Sequence, residues 1–102
     1  MDNISKISDI TYTDLADYLR IEEYAEDTDV INTLKTALTV AKNYVTAYTG
    51  RTMAELDNLQ DIIIVVLILV QDMYDNRTLY VDSTNLNKVV ESILDLHSVN
   101  LL

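Results

Sequence analysis

Ile31, Leu34, Leu38, Ala41, Val45 and Tyr48 follow one another at alternating spacings of three and four residues, and the pattern stops at Gly50-Arg51. That period sets all of them on one face of an α-helix and does not fit the two-residue alternation of a half-buried strand. Gly50 is suited to the left-handed conformation that closes a helix. A second apolar stretch, Ile62 through Val70, continues to Met73-Tyr74 and stops at Asp75-Asn76-Arg77. One Gly and no Pro in 102 residues suit helices joined by few, short connections.

These signals predict an all-α fold in a single domain spanning residues 1–102, a small bundle of about four helices. The first runs from about Tyr12 to Arg20, with Thr11 and Asp14 at capping-box spacing. The acidic stretch Glu22 to Asp29 reads as a loop, in which Asp27 or Thr28 caps the long second helix, Asp29 to Thr49. Thr52 and Glu55 have capping-box spacing and start either a short turn at Met53–Leu56 or the next helix. The apolar third helix, about Leu59 to Tyr74, is expected to be the central, most enclosed element, being apolar on all sides. An amphipathic C-terminal helix covers Leu86 to about His97. Residues 1–10 show no firm period and read as a loose N-terminal arm, and 98–102 read as a C-terminal tail.

The apolar run from Ile62 to Val70 is less than half the roughly 20 residues of a membrane span, and Asp61 and Asp72 bracket it. The opening Met1-Asp2-Asn3-Ile4-Ser5-Lys6 lacks the order of a signal peptide. Net charge is −10, with 17 acidic against 7 basic residues, which opposes adhesion to a nucleic-acid backbone or to anionic lipid. There is no cysteine, hence no disulfide framework and no thiolate metal site.

No reactive motif stands out. His97 is the only histidine, and Glu91 lies six residues before it, off the spacing that aligns two metal ligands on a helix. Asp72, Asp75 and Asp82 have no phosphate-cradling glycine loop beside them. The loop Glu22 to Asp29 lacks the glycine and terminal glutamate of an EF-hand. A packed or solvated role is the better reading of each. Arg20, Arg51 and Arg77 fall near helix C-termini, where cations complement the dipole; Arg51 and Arg77 are also candidates for subunit contact. Thr33, Thr36, Thr39, Thr46 and Thr49 read as the outer surface of the second helix, facing solvent or another subunit. Tyr24 and Tyr80 fall in predicted loops, where aromatics make good interface residues. The last helix and tail carry surplus apolar surface for a partner groove: Leu86, Val89, Val90, Ile93, Leu94, Leu101 and Leu102.

Three stretches carry a family resemblance. Thr11-Tyr-Thr-Asp-Leu-Ala-Asp-Tyr-Leu-Arg-Ile21 followed by an acidic loop resembles the opening of the head–tail connector (adaptor) proteins of tailed bacteriophages. Ala41-Lys-Asn-Tyr-Val-Thr-Ala-Tyr-Thr-Gly-Arg51 is similar to that family's long helix and its close. Val70-Gln-Asp-Met-Tyr-Asp-Asn-Arg77 is similar to its apolar helix ending in Tyr, acid, Asn, Arg. The resemblance covers about residues 10 to 80. It departs before the last helix, where family members often carry a Pro or Gly.

The resemblance implies a structural subunit without enzymatic activity or cofactor. Such subunits form a homo-oligomeric ring, usually of twelve, at the head–tail junction of the virion, after assembly in the host cytoplasm. The ring docks on the portal protein, extends a channel through which DNA passes without specific binding, and receives the next neck or tail-completion protein. Contacts through the C-terminal helix and tail are what the family suggests. Two other readings compete: a small acidic regulator or DNA mimic, and a metal-dependent hydrolase using His97 and the aspartates.

Overall fold

The computed structural model describes residues 4–21 and 27–99. Its elements are a 3-10 turn at Ile7–Asp9, helix α1 at Tyr12–Leu19, α2 at Thr28–Thr49, the one-turn α3 at Met53–Leu56, α4 at Ile62–Asp75, a 3-10 turn at Ser83–Asn85, and α5 at Lys88–His97. The fold is all-α, with no strand among the described residues.

Local chemistry sets the boundaries. Thr11 Oγ1 accepts from the Asp14 N–H at 3.3 Å while Asp14 Oδ2 accepts from the Thr11 N–H at 2.9 Å, which starts α1. Asp27 Oδ1 accepts from the N–H groups of Asp29 and Val30 and starts α2. Gly50 closes that helix at φ 71°. Thr52 and Glu55 form a second reciprocal cap and make the short α3 a helix of its own. Two predicted starts shift inward. Residues 59–61 form a turn in which the Ile62 N–H donates to the Leu59 carbonyl, so α4 begins at Ile62 rather than near Leu59. The Asn87 side chain accepts from Val89 and Val90, so Leu86 and Asn87 precede α5.

The helices form a slab of 46 × 30 × 18 Å, its short axis about two helix diameters. The α2 helix packs on α4, and α1 and α5 each pack on both. The α2 ladder supplies buried Leu34, Ala37, Ala41 and Val45. Against them α4 supplies buried Ile62, Val65, Val66, Leu67, Leu69, Val70 and Met73. Each such large side chain removed from water stabilises the fold by about 1.5–3 kcal/mol before entropy is counted.

Two expectations are corrected here. Residues 4–10 are not a loose arm: Ile7 and Ile10 are buried in the core and Ile4 packs against it. Ser8 ties this segment to the turn after α3, its N–H and Oγ donating to the Asp57 carboxylate at 3.1 and 2.8 Å. Apolar residues three apart with a 3-10 turn between them carry this burial, a pattern too short to show a helical period. The α4 helix is the central and most enclosed element, as expected, packing on α1, α2, α5 and the first 3-10 turn with seven buried residues, while Ile64 on its outward flank is 51% exposed. Thr49 belongs to the core and not to the outer surface of α2: it is fully buried and its Oγ1 donates to the Val45 carbonyl at 2.7 Å.

Candidate interaction surface

The residues proposed for a partner groove divide in two. Val90 and Leu94 are fully buried in the core, and Ile93 and Leu86 pack against it while partly exposed. Val90 and Leu94 are therefore removed from the partner surface, because α5 turns its main apolar stripe inward onto α2 and α4. Leu101 and Leu102 lie outside the described residues. Of the named set, Val89 remains well exposed, and it is joined by Leu96, 73% exposed, and by Val99. Val89 and Leu96 are seven residues apart, so they share one edge of α5. Leu96 escaped sequence reasoning because it sits one step off the core stripe, where the amphipathic pattern expects a polar residue.

The end of α5 is clasped to the end of α2. The Arg51 Nε donates to the His97 carbonyl, and the Tyr48 hydroxyl donates to Asp95. The Ser98 hydroxyl donates to the Tyr48 carbonyl at 3.3 Å, and the Val99 N–H donates to the Thr49 carbonyl at 2.8 Å. Ser98 and Val99 are thus anchored and do not belong to a free tail. Arg51 also lies 3.5 Å from Glu55. Its guanidinium neutralises carbonyls at the end of α5, a helix distant in sequence, rather than at the end of its own α2. The Tyr-Thr-Gly-Arg sequence therefore works as a fold junction.

His97 Nε2 lies 2.8 Å from Asp61 Oδ2 at the start of α4. This contact makes α4 and α5 run antiparallel. Among the described residues no group of three or more His, Cys, Asp or Glu side chains is placed to hold a metal ion.

Tyr48 carries a measurable consequence. Its hydrogen bond to Asp95, then burial, then the charges of Asp95 and Glu91 raise the phenol from its ordinary 10.0 to about 12. The unfolded phenol ionises near 10, and the folded one keeps its proton to about 12. Between those values the folded chain holds the extra proton, so stability falls as pH rises. Burial and Glu91 also raise Tyr44, which adds to the same slope. In thermal melts between pH 10 and 12, the wild type is expected to lose Tm more steeply than Tyr48→Phe. Equal slopes would contradict the assignment.

At the other end of α4, Arg77 adopts φ 54° and stacks its guanidinium 5.1 Å from the Tyr74 ring centre. The turn it makes leads into an open cleft of about 240 Å³ floored by Leu69, Met73, Val81 and Leu86, with Asp72 and Asp82 on its walls. Tyr80, 64% exposed, stands at its mouth, and Leu79 is exposed beside it. The two carboxylates differ in character. Hydrogen bonds from Asn85 and Thr84 hold Asp82 below the usual carboxylate range. Partial burial and the neighbouring Asp75 raise Asp72 above it.

No family model, curated protein or solved structure matches this chain. No helix among the described residues is long and apolar enough to cross a membrane.

Proposed function

We propose that the chain is a structural ring subunit of a tailed-phage neck, which docks on the portal protein, extends the DNA channel and joins head to tail without catalysis. The observation that carries an interaction role is the set of exposed apolar side chains at Ile64, Val89, Leu96, Val99, Leu79 and Tyr80, which stand outside the one apolar core of the described residues. Surplus of this kind marks a contact surface. The phage-neck setting rests on the resemblance of three ordered stretches, which here form a capped α1, the junction at Gly50-Arg51 and the stop at Arg77. The charge of −10 suits a channel wall that repels a DNA backbone and lets it pass. The same charge also favours the second reading, an acidic regulator that occupies a basic nucleic-acid site.

Mixing the protein with portal and measuring the mass of the product separates the two. A cyclic complex of many copies on the portal is expected, unaffected by DNA. Tight one-to-one capture of a DNA-binding protein, competed by DNA, would favour the regulator.

A further inference from the structure

The acidic residues are unevenly placed. None lies between Asp29 and Glu55, whereas that stretch holds Lys35, Lys42 and Arg51. It is the α2 helix and the junction after it. The exposed face of α2 presents Asn32, Lys35, Thr36, Thr39 and Asn43, with Lys42 half-buried beside them. The outward flank of α4 carries exposed Ile64, Asp72 and Asp75 with half-buried Ile68 among them, at spacings of three and four residues, which puts them in one row. The α2 and α4 helices pack on each other through their buried faces. The two uncovered faces therefore point away from each other.

From this arrangement we infer that the acid-free α2 face of one copy docks on the Ile64 flank of α4 in the next copy, head to tail. The inference rests on the ring reading and names the faces that would build it. Charge selects this pairing. Among the described residues the ion pairs are Arg51–Glu55 and His97–Asp61; Lys35, which lies over the Tyr12 ring, and Lys42 on one face, and Asp72 and Asp75 on the other, form no ion pair among them. Asp72 is raised first by partial burial and then by the charge of Asp75, and a neighbour's lysine beside the two carboxylates offsets that second cause. Two α2 faces together would oppose lysines, and two α4 flanks would oppose aspartates, so the symmetric contacts are disfavoured. Ile64, half-exposed in the single chain, gains burial in the head-to-tail contact. A contact between two different faces generates a ring when its rotation closes.

The chain has no cysteine, so installed thiols report without background. A Thr39→Cys/Ile64→Cys double variant treated with a short thiol–thiol crosslinker is expected to give a ladder that extends well beyond dimers. Either single variant alone should stay uncrosslinked, and Lys35→Glu/Lys42→Glu in the double variant should suppress the ladder at least tenfold. Native mass is measured on the same samples, with and without portal. Dimers from either single variant would overturn the pairing, as would an oligomeric mass with no ladder from the double variant, and in that last case the ring reading stands. A monomeric mass under all conditions, with no crosslinks, would overturn both.

Discussion

Leu94→Ala is expected to destabilise the protein by about 2–5 kcal/mol, the cost of emptying a fully packed leucine site, while Leu96→Ala stays within about 0.5 kcal/mol. The two leucines lie on one helix, two residues apart. Leu94 is fully buried between α5 and the α2–α4 pair, and its removal leaves a cavity that anchored helices cannot collapse to fill. The anchors are the Arg51–His97 carbonyl bond, the Tyr48–Asp95 bond and the Val99–Thr49 bond. Leu96 points into solvent, so its truncation removes little that folding had buried. Urea titrations of the two variants measure the contrast. Equal losses would mean that α5 sits on the bundle with a different face than the one described.

Ile7→Ala and Ile10→Ala are each expected to cost about 2–5 kcal/mol, on the same cavity argument. A disordered arm would give almost nothing at either position. Both isoleucines are buried, and the segment between them is held by the Ser8–Asp57 bonds to the turn after α3. Ser8→Ala should therefore also destabilise, by about 0.5–1.5 kcal/mol for the lost hydrogen bond. Chemical denaturation of the three variants tests the placement; stability unchanged in all three would return residues 4–10 to solvent.

Much of this architecture is legible in the sequence for a specific reason. The α2 ladder runs long enough for its period to be unambiguous, and Thr11, Asp27, Thr52 and Gly50 are residues whose side chains or φ preferences mark helix ends. Ile7 and Ile10 were not legible as core, because two apolar residues around one 3-10 turn show no period. The division of α5 was legible only as an amphipathic helix. The helical period sets Val90 and Leu94 on the apolar stripe and Leu96 off it, and only the packing of α5 against α2 and α4 shows that the stripe faces the core rather than a partner. Ile64 was hidden inside a run apolar at every position, where no pattern indicates which side lacks a neighbour. The clasp that joins Tyr48, Thr49 and Arg51 to Asp95, His97 and Val99 spans nearly half the chain, so no local signal announces it.

The central claim is that the uncovered apolar side chains are meeting surfaces of a ring subunit. It is tested most directly by the native mass of the protein mixed with portal, run beside Leu96→Asp. The account predicts a closed assembly of many copies for the wild type and, for a variant that keeps its fold, a loss of portal affinity of at least tenfold. A wild-type chain that stays at 11.6 kDa beside portal at every concentration would contradict it.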